Sequence, residues 1–161
     1  MLLQRFRLRL FTETVILITQ EREELHMKKI VLASASPRRR ELLSQVGVAF
    51  EVKPASGEER ITSAEPAKVV EELSRQKAMF TAYALEEEEN RDLRDVVVIG
   101  ADTVVSYEGK ILGKPADETA AIEMLAMLQG NTHQVYTGVT LLIREKGRWK
   151  AHTFHECTDV S

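Results

Sequence analysis

The chain has 161 residues, with 22 Lys and Arg against 25 Asp and Glu, a formal net charge of −3, 43% apolar residues and 29% charged ones. This is the balance of an ordinary soluble domain, long enough for one sizeable core or two very small ones. The single cysteine, Cys157, excludes an internal disulfide framework, and the mild acidic balance argues against a nucleic-acid partner held by bulk positive charge.

Residues 1–26 read differently from the rest. Arg5, Arg7 and Arg9 alternate with apolar residues, and the apolar run Val15–Ile18 falls far short of the roughly 20 residues that span a bilayer. No membrane span or signal peptide is expected from it. The segment reads as an upstream extension, with Met27 as the natural start of a domain over 27–161; an extra N-terminal strand or helix is the alternative.

From Met27 onward the elements follow in order. Ile30–Ala33 is a short apolar run typical of a buried strand. Ser36-Pro37 then caps and opens a helix carrying Leu42, Leu43 and Val46 on one face, ended by Gly47. Val48–Val52 reads as a strand and Ser56–Thr62 as a polar loop. Pro66 opens a longer helix to about Ala84, with Val69, Val70, Leu73 and Phe80 as its apolar stripe. After the charged loop 86–95, Val96–Ile99 begins the strongest strand, which continues through Val105 to a turn at Glu108-Gly109-Lys110. Asp117–Leu128 is an amphipathic helix through Ile122, Leu125 and Leu128. Val135–Ile143 and Trp149–Val160 are two strands joined at Glu145-Lys146-Gly147. Helices alternating with strands, then a hairpin, predict an α/β fold with a mixed sheet.

Three features resist a purely structural account. Ser34-Ala35-Ser36-Pro37-Arg38-Arg39-Arg40 places three arginines at a helix N-terminus, where each cation is misplaced by ~0.3–1 kcal/mol. A highly charged anion such as a polyphosphate would make sense of them; full solvation is the bland alternative. Asp102 interrupts the apolar run Val96–Val105, and such a carboxylate must be paired, hydrogen-bonded or bound to metal. It is a candidate metal ligand or general base, or else a carboxylate that caps a bulge. Lys77 falls inside an apolar stripe, where lysines usually snorkel to solvent, and Lys114 follows Gly113 at the mouth of a hairpin. Glu58 and Glu59 read as solvated surface. His133, His152 and His155 lack zinc-like partners.

Together these stretches resemble the Maf family of nucleoside triphosphate pyrophosphatases. The matching pieces are Leu32–Arg39 with Glu41-Leu42-Leu43, Gln76-Lys77-Ala78, Ile99–Val105, Gly113-Lys114-Pro115 and Gly130–Gly138. The resemblance implies an inosine-triphosphatase-like mixed sheet flanked by helices, two lobes around a cleft, and often a homodimer. It implies cleavage between the α- and β-phosphates, with a divalent cation, Mg or Mn. By that resemblance Asp102 is the base or metal-linked carboxylate, and Ser34, Arg38, Arg39, Lys77 and Lys114 form the phosphate cradle. Glu58 and Glu59 match an acidic loop that helps Asp102 hold the cation. A branch acting on 7-methyl-GTP has Trp at Arg38 and Gln at Thr103; Arg38 and Thr103 match the branch acting on dTTP and UTP. The family continues past Ser161 through an Asp-Lys-Ala-Gly-x-Tyr segment, so the expectation is an incomplete domain, prone to aggregation and weakly active. An inactive or weak nucleotide-binding fragment, lacking the C-terminal part of the site, is the competing reading. The expected setting is the cytoplasm, with a nucleoside triphosphate as partner.

Overall fold

The computed structural model describes residues 28–161; the expectations for residues 1–26 and for Met27 lie outside the described residues. Strand β1 spans Lys29–Leu32 and leads into helix α1, Pro37–Gln45. Strand β2, Phe50–Val52, precedes helix α2, Pro66–Glu86. Then come β3 (Val96–Tyr107), β4 (Lys110–Leu112), α3 (Glu118–Leu128), β5 (His133–Glu145) and β6 (Arg148–Val160). The six strands form one sheet in the order β2-β1-β3-β5-β6, with β4 also paired to β3. β2, β1 and β3 run parallel, whereas β4 and β5 lie antiparallel to β3 and β6 antiparallel to β5. The mixed α/β sheet expected from the sequence is present.

Alternation along the strands gives the sheet two apolar faces. Ile30, Leu32, Val97, Ile99, Ala101, Val139 and Leu141 meet Leu43 of α1 on one face, with Leu42, Val46 and Phe154 packed beside them. On the other, Val31, Ala33, Val96, Val98 and Leu142 meet Ala78, Ala82 and Leu85 of α2. Each fully buried Leu, Ile or Val contributes about 1.5–3 kcal/mol of transfer free energy. The two hairpin turns are built alike. Glu108-Gly109 and Lys146-Gly147 have φ of +49°/+75° and +48°/+78°, the left-handed pair that matches strand twist.

Helix α3 departs from expectation in one respect. Asp117 caps it by accepting from the Ala120 N–H at 2.8 Å, yet none of its residues is buried, and Ile122 and Leu125 are exposed. Its apolar stripe is real, but among the described residues only Leu128 of it is half-buried and Ile122 and Leu125 are left uncovered. α1 and α2, by contrast, are fixed by the sheet faces they close.

Candidate active site

The site begins with an interruption of the sheet. β5 pairs with β3 along one edge from Val97 to Ser106. On the opposite edge β1 pairs through Lys29–Leu32 with Val96–Ile99, and β4 pairs with Val105–Tyr107. Between these two neighbours, residues 100–104 of β3 have no strand partner on that side among the described residues. Asp102 is at the middle of this gap. It is where a parallel strand ends beside a longer one, the position at which open α/β sheets collect ligands.

Helix α2 supplies one wall. Its close seating depends on glycines in adjacent strands. A Cβ on Gly100 would stand 2.2 Å from the Ser74 carbonyl oxygen, and one on Gly138 would stand 2.2 Å from the Val70 carbonyl oxygen. The absent side chains let the helix backbone lie directly on the sheet. Beneath it, the buried Ser74 and Thr140 hydroxyls meet at 2.9 Å, and Thr140 meets Thr153 at 2.9 Å. Sequence reading missed this contact layer. The signal was two glycines inside strong strand patterns, which mark close backbone approach.

That seating carries Lys77 to Asp102. The ammonium donates to Asp102 Oδ1, and its Nζ lies 3.4 Å from Glu59 Oε1. Side-chain exposure is 18% for Lys77 and 14% for Asp102, so this lysine does not snorkel to solvent. Glu59 arrives from the loop between β2 and α2, which is laced to α2. The Arg60 N–H donates to Gln76 Oε1 at 2.8 Å, Gln76 Nε2 donates to the Arg60 carbonyl at 2.6 Å, and the Thr62 N–H donates to Glu72 Oε2 at 2.9 Å. The Thr62 hydroxyl and amide hold the Glu72 carboxyl below its usual range. Glu58 is exposed in the same loop; Glu59 makes the contact with Lys77.

Helix α1 supplies the second wall. Ser36 caps it, accepting from the Arg39 N–H at 3.5 Å, and its first turn contains no acidic residue. Ser34, buried just past β1, accepts at Oγ from the Ser36 N–H and from Arg39 Nη1, each at 3.2 Å. Arg39 is thereby folded back over the helix start, while Arg38 is exposed beside it. Pro37 has no N–H and Ser36 accepts from the Arg39 and Arg40 amides, so the Arg38 amide, the positive helix end and the Arg39 guanidinium are what this turn offers where β1 terminates, an arrangement suited to an anion.

Lys114 approaches from the other end of the gap. β4 runs antiparallel to β3 from Tyr107–Lys110 to Val105–Leu112, so the chain leaving Leu112 heads back along β3 toward Thr103. Lys114 is exposed there. Thr103, next to Asp102, points to the opposite face, where its hydroxyl meets that of Thr137 at 3.1 Å. The gap therefore gathers Asp102, Lys77 and Glu59 on the α2 side and Thr103 on the α1 side, with the α1 N-terminus and Lys114 entering from its two ends. Among the described residues no group of three or more His, Cys, Asp or Glu side chains forms a cation cage.

The family described as "Maf-like protein" matches residues 29–161. The chain is 57% identical over 141 residues to a dTTP/UTP pyrophosphatase of Agathobacter rectalis, covering 84% of this chain and 69% of that one. A dTTP/UTP pyrophosphatase of Bacillus cereus is 45% identical over 148 residues, covering 91% and 67%. The chain thus spans about two thirds of the length of these curated relatives. Among solved structures, the Ham1 protein of Staphylococcus aureus matches with a TM-score of 0.53 and 19% identity, covering 82% of this chain and 70% of that one. At that identity the likeness concerns the fold. No helix among the described residues is long and apolar enough to cross a membrane.

Proposed function

The chain belongs to the Maf-like family, and from that premise we propose that it hydrolyses dTTP and UTP to the monophosphate and pyrophosphate. The Asp102–Lys77 pair in the sheet gap carries the reading. A largely enclosed ammonium–carboxylate pair in a gap past the end of β1, next to a helix start rich in arginine, suits phosphoryl transfer, where charge stabilisation is the main requirement.

In this reading the triphosphate takes the Arg38 amide at the start of α1, with Arg38, Arg39, Lys77 and Lys114 opposing its charge. Ser34 fixes Arg39 and lines the same pocket. On arrival of the phosphates, Lys77 shifts its donation from Asp102 to a phosphate oxygen. The freed Asp102 carboxylate accepts the proton of the attacking water. The water oxygen bonds to the α-phosphorus, the bond from that phosphorus to the bridging oxygen breaks, and pyrophosphate leaves with the electron pair.

The residues also suit a divalent cation. Asp102 and Glu59 already converge on one positive charge, the Lys77 ammonium. Magnesium or manganese takes one or two carboxylates plus substrate phosphates rather than an all-protein cage. Asp102 and Glu59, with Glu58 beside them, would hold it. When bound, the cation neutralises phosphate charge. Selection of dTTP and UTP belongs to Arg38 and Thr103. Cytoplasmic residence and a homodimer are part of the same reading, and sedimentation tests the latter.

The decisive experiment is pyrophosphate release across dTTP, UTP, CTP, GTP and 7-methyl-GTP with Mg or Mn. Preference for dTTP and UTP by kcat/KM is the expected result. A better turnover of 7-methyl-GTP overturns the assignment of substrate, and nucleotide binding without pyrophosphate release overturns the enzymatic one.

A further inference from the structure

On the face that α1 covers, directly paired residues of β3, β5 and β6 form rows. Ala101, Val139 and Phe154 make an apolar row that belongs to the core. The next row is Thr103, Thr137 and Glu156, polar in all three strands, and the one after it is Val105, Val135 and Thr158. Residues paired directly across a sheet have Cβ atoms about 4.5–5.5 Å apart, so the row is one continuous strip. All three members are half-buried.

The chemistry of the strip is specific. The Thr103 and Thr137 hydroxyls lie 3.1 Å apart. When one donates to the other, one hydroxyl proton stays available to an outside acceptor. Glu156 forms no ion pair among the described residues, and an ionised carboxylate only accepts. A half-buried carboxylate without a cation wants an N–H. The strip therefore offers a donor beside an acceptor, two residues along from the core and starting at Thr103, the neighbour of Asp102.

We infer that Thr103, Thr137 and Glu156 together read the nucleobase, the hydroxyl pair donating to O4 of uracil or thymine and Glu156 accepting the N3–H. The inference rests on the pyrimidine triphosphate reading above and adds Thr137 and Glu156 as specificity residues.

Calorimetric binding of non-hydrolysable α,β-methylene-UTP and its N3-methyl derivative, with Mg present, tests it. The unaltered chain is expected to bind the first about 10–100-fold more tightly, the range of a hydrogen bond to a charged group. In Glu156→Ala that gap closes through loss of affinity for the UTP analogue, whereas Glu156→Gln, whose amide oxygen still accepts, keeps most of it. Thr137→Val weakens the UTP analogue severalfold. A purely electrostatic Glu156 predicts the opposite sign, because removing a negative charge would tighten binding of a triphosphate. A full gap surviving in Glu156→Ala overturns the base-reading role. Equal binding of α,β-methylene-GTP by the unaltered chain overturns the underlying pyrimidine reading instead, and no binding of either uridine analogue sinks both.

Discussion

The two halves of β3 are the same strand put to different uses. From Val97 to Ile99 it is flanked by β1 and β5 and buried on both faces. From Gly100 to Val104 one neighbour is missing, and from Asp102 to Val105 the side chains are half-buried. The first half is held by apolar transfer and ladder hydrogen bonds. The second gives up part of that burial and gains side chains a ligand can reach. The proposed chemistry lies where a partner strand stops, while β5 stays paired with β3 across the gap.

Gly100 is the hinge of this comparison, and Gly100→Ala breaks both halves at once. The new methyl would stand 2.2 Å from the Ser74 carbonyl oxygen and 2.7 Å from the Ala78 nitrogen, so α2 must lift. We expect a loss of about 1–3 kcal/mol, seen as a lower Tm. Pyrophosphate release should drop with it, since Lys77 moves with the helix. Lys77→Met separates the halves. It removes the ammonium proposed to meet the developing phosphate charge, and kcat should fall about 10²-fold while melting remains cooperative. Ile99→Val probes the other half alone. It costs about 0.5–1.5 kcal/mol in denaturant unfolding and leaves kcat unchanged.

The smallest effect is expected at Asp92, a charged group far from the gap. Arg94 and Lys29 donate to it and hold its carboxyl well below the usual range. A depressed carboxyl contributes stability above its unfolded-state value and loses it as pH falls. The Tm difference between the unaltered chain and Asp92→Asn should therefore be slight at neutral pH and vanish progressively in acid, below the ordinary value of 3.8. Both partners are largely exposed, so salt should also erase it.

Much of this was legible in the sequence. Periodicity located β1, α1, α2, β3 and the β5–β6 hairpin, with ends off by a residue or two where fraying or a cap decides the boundary. β2 is shorter than expected, Phe50–Val52 rather than Val48–Val52, because its ladder to β1 begins only at Phe50. Asp102 stood out because a carboxylate in an apolar run requires a partner. Lys77 was the harder case: position in a helical stripe predicts snorkelling, and only the seating of α2 on Gly100 and Gly138 turns it onto Asp102. Thr137 and Glu156 gave no signal, since their relation to Thr103 exists only through strand register. The exposed stripe of α3 was invisible for a related reason: amphipathicity shows that a helix has an apolar face, not what meets it.

The central claim is that Asp102 serves catalysis and not the fold. Asp102→Asn, nearly isosteric but unable to take a proton, tests it most directly, with phosphorus NMR of dTTP turnover measured beside thermal melting. The unaltered chain should release dTMP and pyrophosphate in equal amounts, and the variant should do so at least about 10²-fold more slowly with an equally cooperative melt. A variant that turns over dTTP at the unaltered rate, or orthophosphate as the first product of the unaltered chain, would contradict the account.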